Sequence, residues 1–272
     1  MRRLVVLVVL LVPALAQETN RAVLGVVAVE REKGVGIAEV IEGSPAAAAG
    51  LRAGDFLLSI DGSEIRRATD VDRALAGRKP GDEVRVAYRR GETKAEVKAK
   101  LVLRSSVEAL KPRKRGETGF EAPAWYAYAW ANVEEGKEPS PETTKGKVVV
   151  IHAFQSWCPE CARRGFPVMK QVEDELKGAN DVVLCHVQTV FEGARENTPE
   201  RGPKVVAKYG IHAPVGFDAR VDGAGQSLIM DRFGTGGTSW TIVIDKKGVV
   251  RLNGFTPDSA TILALVQDLR KK

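Results

Sequence analysis

Hydrophobic positions follow two different patterns along the chain, and the change falls near residue 105. Before it, short apolar–polar alternations are broken by glycine-containing turns. They predict strands at Val23-Leu24-Gly25-Val26-Val27, 34–40, 56–60, 83–89 and 93–101. Pro45 starts a short helix that Gly50 ends, and residues 69–76 are predicted as a second helix, capped by Thr69 or Asp70. Asp61-Gly62 and Pro80-Gly81 are turns. After residue 105 the apolar runs lengthen and alternate with helical periodicity. Buried strands are expected at 147–154 and 181–187, and helices at 162–176, within 198–209, and at 227–233. A strand at 238–245 turns at Lys246-Lys247-Gly248 into a partner at 249–252, and an amphipathic helix closes the chain at 258–271. The expected fold is therefore two domains, a β-rich partly open barrel with two helices followed by an α/β domain.

Residues 105–118 are charged and carry Pro112 and Gly116, so they read as the linker between a domain at 20–104 and one at 119–272. The basic run from Lys111 to Arg115 lies inside it and is expected to be solvated. No aromatic residue interleaves with it, so nucleic acid is not an expected partner. Trp125, Tyr126, Tyr128 and Trp130 are expected to cover a sheet edge.

Composition changes this picture at the N-terminus. Arg2 and Arg3, the apolar run 4–12 and Ala14-Leu15-Ala16 have the form of an export signal over residues 1–16. The apolar run is too short to span a bilayer, so no stable membrane span is expected once the signal is cleaved. The expected location is the periplasm or cell envelope of a bacterium. Overall the chain has 44% hydrophobic residues, a net charge of +6 and three cysteines. An exported chain with so few cysteines is not stapled by disulfides, and its one close pair is expected to do chemistry.

That pair is Cys158 and Cys161. A β-branched run ends at Trp157, and a helix is expected to start at Pro159, where a missing N–H costs nothing. Cys158 then sits at a helix N-terminus, where free N–H groups and the helix dipole favour a thiolate. Cys161, one turn in, is placed to resolve a mixed disulfide. Zinc would need two further ligands, and His152, His186 and His212 are scattered, so no metal is expected. No cofactor is expected beyond the redox-active Cys158–Cys161 disulfide. Cys185 reads as a small core residue. Glu160, between the cysteines, opposes the thiolate and leans the pair toward reduction of its partners.

The first span resembles a bacterial-type PDZ domain on Gly43-Ser44-Pro45-Ala46, Ala49-Gly50-Leu51, Ala53-Gly54-Asp55 and Ile60-Asp61-Gly62. The resemblance implies that Val23, Leu24, Gly25 and Val26 bind the carboxylate of a C-terminal or extended peptide. That peptide would lie between the following strand and the helix with Val71, Ala74 and Leu75; the bland reading makes Leu24 and Val26 core residues. The second span is similar to exported thiol–disulfide oxidoreductases of the TlpA/ResA type. The residues that carry this are 119–125, Trp157-Cys158-Pro159-Glu160-Cys161 and the hairpin around Lys246-Lys247-Gly248. It implies a thioredoxin-like fold, thiols or disulfides of exported proteins as substrates, and contacts to substrate from Trp157, Pro159, Thr238 and Ser239. In that family a buried carboxylate relays a proton from the position of His152, and a proline occupies the position of Ser239. An imidazole at 152 has the pKa for the relay; a core histidine bonded to a carbonyl is the rival reading. Two other functions stand beside the oxidoreductase: a peroxiredoxin-type peroxidase, for which Ser156 is wrongly spaced from Cys158, and a PDZ scaffold with a degenerate redoxin domain.

Overall fold

The computed structural model describes residues 21–111, 113–191, 197–220 and 227–272; the export signal expected at 1–16 lies outside the described residues. The N-terminal part holds strands β1 (Ala22–Val23), β2 (Val26–Arg31), β3 (Gly34–Val40), β4 (Phe56–Ile60), β5 (Ser63–Glu64), β6 (Glu83–Arg90), β7 (Thr93–Lys100) and β8 (Val102–Leu103). Helices α1 (Pro45–Ala48) and α2 (Ala68–Leu75) lie between them. The main sheet runs β2-β3-β4-β6-β7, all antiparallel, with β5 on β4, and β1 pairs separately with β8.

The expected first strand is broken in two because Gly25 turns the chain at φ 89°. A side chain could not replace its hydrogen: a Cβ there would collide with the Cβ of Ser44. Ser44 is the N-cap of α1, accepting the Ala47 N–H, so this crossing ties the β1–β2 corner to the helix. In α2 the N-cap position is Arg67, not Thr69 or Asp70; Asp70 lies at the third helical position, and its carboxylate reaches back to accept the N–H groups of Arg66 and Arg67.

The C-terminal part holds β9 (Ala127–Ala131), β10 (Val148–Phe154), β11 (Val182–Gln188), β12 (Val215–Asp218), β13 (Trp240–Ile244) and β14 (Val250–Phe255). Its helices are α3 (Phe166–Glu175), α4 (Arg201–Ala207), α5 (Leu228–Phe233) and α6 (Ser259–Arg270). The sheet order is β14-β13-β10-β11-β12-β9. The strand before the cysteine pair is central, parallel to β11 and antiparallel to β13, which pairs in turn with β14. Alternate residues of β10 feed two cores: Val148, Val150 and Phe154 join Phe166, Met169, Ile262 and Val266, while Val149, Ile151 and Ala153 join Trp125, Ile229 and Phe233. Being covered on both faces is why this strand has no polar alternation.

Two expectations need correction. Of the aromatic cluster, Tyr128 and Trp130 lie within an edge strand, β9, rather than over one, while Trp125 is buried in the core. Residues 215–218 form a strand, β12, that was not among the expected strands. The described residues of the basic run are exposed, as expected, but the linker is not a free tether: the Arg113 guanidinium lies 3.9 Å over the Phe120 ring, and its backbone N–H donates to the Asp231 carbonyl. Val107 and Leu110 are buried in the N-terminal core.

The candidate active site and the peptide groove

Cys158 closes the loop after β10, and helical structure starts at Pro159 as expected. From Cys161 to Gly165 the helix widens into a π turn, with the Phe166 N–H bonded to the Cys161 carbonyl. Pro167 has no N–H to offer the carbonyl of Arg163, and a wide turn accommodates that loss. Cys158 acts as the helix cap: its Sγ accepts the Cys161 N–H at 3.2 Å, and its carbonyl accepts from Ala162. Its thiol also meets the Thr238 carbonyl at 3.3 Å.

These contacts split the two thiols. The Cys158 pKa is lowered to about 6, first by the Cys161 thiol bonded to it; burial opposes, and the Thr238 side chain and the N–H groups of Cys161 and Glu160 add to the fall. Burial pushes the Cys161 thiol well up, and the bond to Cys158 adds to it. Burial likewise pushes Cys185 up to about 12, which leaves it an inert core thiol. The Glu160 carboxylate is paired with Arg163 and lies 3.6 Å from Arg164, so its charge is offset rather than bare. Trp157 is 40% exposed, and with Pro159, Phe191 and Thr238 it borders a pocket of about 310 Å³ over Cys158.

Beneath the pair, His152 Nε2 lies 2.5 Å from Ser239 Oγ, and His152 Nδ1 lies 3.0 Å from His186 Nδ1. Both rings are fully buried, and burial holds His152 well below the usual imidazole range; His186 beside it adds to the effect. His186 falls to about 3 for the same reason of burial. The Thr238–Ser239 peptide is cis. Gly165, one turn beyond Cys161, lets this arrangement form, because a Cβ there would collide with Ser239 and stand 3.1 Å from His152 Nε2. His186 was missed in the sequence, though a signal existed: each histidine is the fifth residue of its strand, and the parallel register sets them side by side. Asn197 was also missed; its Oδ1 accepts the Ser156 N–H at 2.8 Å and so fixes the loop before Trp157. Among the described residues no group of three His, Cys, Asp or Glu is placed to hold a metal ion.

At the other expected site, Val23, Leu24 and Val26 are fully buried, and the Leu24 and Gly25 carbonyls accept from Ala46 and Ile41. β2 and α2 flank a trough, and β2 pairs on its other side with β3. The family model described as PDZ domain matches residues 22–101, the span of this sheet and its two helices. Residues 22–101 are a PDZ domain.

Over the PDZ domain the chain is 29% identical, in 85 residues, to a protein named as a probable periplasmic serine endoprotease DegP-like of Ectopseudomonas mendocina (strain ymp). That match covers 31% of this chain and 18% of the relative. A putative serine protease HhoB of Synechocystis sp. (strain ATCC 27184 / PCC 6803 / Kazusa) is 39% identical over 64 residues, covering 24% of this chain and 15% of the relative. The chain thus spans less than a fifth of these relatives. Among solved structures, a thioredoxin-like superfamily protein is 30% identical with a TM-score of 0.49, over 57% of this chain and 98% of that one. A thiol-disulfide isomerase from Corynebacterium glutamicum is 29% identical with a TM-score of 0.48, over 56% of this chain and 97% of that one. The domain after the PDZ domain is thioredoxin-like: its mixed sheet has the CxxC strand at the centre and helices on both faces.

Proposed function

We propose that the thioredoxin-like domain is a thiol–disulfide oxidoreductase acting on exported proteins, with Cys158 as the attacking thiolate and Cys161 as the resolving thiol. One observation carries this reading: a capping thiol lowered to about 6 stands one turn before a buried thiol pushed well up. Near neutral pH the first is a thiolate and the second keeps its proton.

The exchange balances in two displacements. The Cys158 thiolate attacks a client disulfide, forming a mixed disulfide and releasing one client thiolate. Cys161 then gives up its proton and attacks the Cys158 sulfur. The Cys158–Cys161 disulfide closes, the second client thiolate leaves, and two electrons have passed to the client. Trp157, Pro159 and Thr238 form the rim where the client chain lies; Ser239, also expected to touch substrate, is buried beneath the pair and does not reach it. His152, bonded to the Ser239 hydroxyl and to His186, is the proton relay for the resolving step. Burial lowers the basicity of this ring, so it passes the Cys161 proton on through the Ser239–His152–His186 chain toward the departing client thiolate rather than holding it. The leaning toward reduction rested on a bare Glu160 charge. Arg163 and Arg164 offset that carboxylate, so the direction is to be read from a measurement of the reduction potential of the Cys158–Cys161 couple.

Insulin reduction by dithiothreitol tests the proposal. Wild type should accelerate it and Cys158→Ser should not; equal rates would sink it and favour the scaffold reading. His152→Ala should slow turnover per folded molecule, and an unchanged rate would remove the relay. For the PDZ domain the proposed ligand is a peptide carboxylate at Val23, Leu24, Gly25 and Val26, which recruits the client. The relatives named as periplasmic proteases and the leader at 1–16 support a location in the cell envelope. No described helix is long and apolar enough to cross a membrane.

A further inference from the structure

The trough between β2 and α2 is where an extended peptide would add to the PDZ sheet, since the open edge of β2 offers its backbone there. That trough is already filled, and by this chain. Tyr128, from the edge strand β9 of the thioredoxin-like domain, is 5% exposed and sits with Ala28 of β2 and Ala68 and Val71 of α2. The space left among them is about 10 Å³, too little for even one further side chain. β9 packs along β2 without pairing to it; its hydrogen-bonded partner is β12.

The occupation is anchored on all sides. Phe217, Ala219 and Leu228 of the second domain belong to one apolar cluster with Leu24, Val26 and Leu75 of the PDZ domain. Arg220 reaches Asp72 of α2 at 3.9 Å. Arg232 grips the Glu39 carboxylate of β3 with two nitrogens, at 2.8 and 2.9 Å. The side chains that would read a peptide are thus spent on the neighbouring domain.

We propose that the thioredoxin-like domain is the resident ligand of its own PDZ groove, and that an external peptide enters only by displacing β9 and Tyr128. This rests on the peptide-binding reading of the groove given above. It adds that recruitment of a client and undocking of the redox domain are one event. A groove that is open only a fraction of the time binds more weakly by that fraction, so freeing it must raise apparent affinity.

The test titrates full-length protein against a fluorescein-labelled ten-residue peptide ending in an apolar residue with a free carboxylate, read by anisotropy. Tyr128→Ser should bind at least tenfold more tightly than wild type, and Tyr128→Phe, which keeps the ring, should match wild type. Equal affinity for wild type and Tyr128→Ser overturns self-occupation while leaving peptide binding intact. Binding by neither overturns both readings. Should Tyr128→Ser not fold, hydrogen exchange in the wild-type chain decides. Saturating peptide should speed exchange in residues 127–131 at least tenfold, and an unchanged rate overturns the proposal.

Discussion

At residue scale the chemistry rests on two neighbouring inequalities. The first is between the thiols. Iodoacetamide alkylation of Cys158 should reach half its maximal rate near pH 6, not near the ordinary cysteine value of about 8.5. Because the Cys161 thiol is the largest cause of the lowering, Cys161→Ala should move that midpoint up. A midpoint above 8 in the wild type would contradict the geometry. The second inequality is between folded and unfolded histidine. His152 and His186 stay neutral in the fold, while in the unfolded chain each takes a proton near pH 6.5. Their folded pKa values are depressed, so the stability is fully present above about 6.5 and is lost as the unfolded chain gains protons below it. The loss is up to about 1.4 kcal/mol per pH unit for each ring. Urea midpoints should therefore fall from pH 7 to pH 5, and His186→Leu should flatten the slope. The cysteines were legible because strand, tryptophan, proline and spacing coincide in one stretch. The histidine pair was not, because its two members are joined only by the register of two strands.

At element scale the decisive feature is how closely the π turn passes the Ser239 loop. Gly165 is the only residue type that fits where the helix crosses Ser239 and His152. Gly165→Ala should cost roughly 2–3 kcal/mol by overpacking and separate His152 from Ser239. Thermal denaturation of Gly165→Ala, compared with Gly165→Ala/Ser239→Gly, checks this: the second change should recover most of the loss. Helix periodicity in the sequence showed the helix but could not show its width, because a single wide turn is too short a stretch to set a period of its own. β12 escaped for a related reason. Gly216 interrupts its four residues, and the glycine is there because Trp130 of β9 crosses close above it. Composition carries the need for the glycine but not the identity of the neighbour.

At the scale of the whole molecule, the two-domain order was legible from the change in hydrophobic pattern, whereas the contact between the domains was not. It is made of residues that each look like ordinary core or surface: Tyr128, Arg220, Arg232 and Glu39. Arg104, just after β8, forms a buried ion pair with Asp231 of α5. Removing one partner of such a pair leaves a buried charge and costs about 3–5 kcal/mol. Arg104→Ala should therefore lower stability by that order. Because the apolar cluster runs from the PDZ domain into the second domain, the wild type should unfold in one calorimetric transition and the variant in two. Two transitions in the wild type would show the domains to be energetically separate.

β2 and β9 are each the outermost strand of a sheet, and each lies against the other. An outermost strand with unmet backbone groups is the usual template on which other chains pair and aggregate. By facing one another, these two hide both templates at once. The molecule therefore cannot offer its groove without also baring a second strand end, and the same opening that admits a peptide sets a limit on how concentrated the open form can be before it associates with itself.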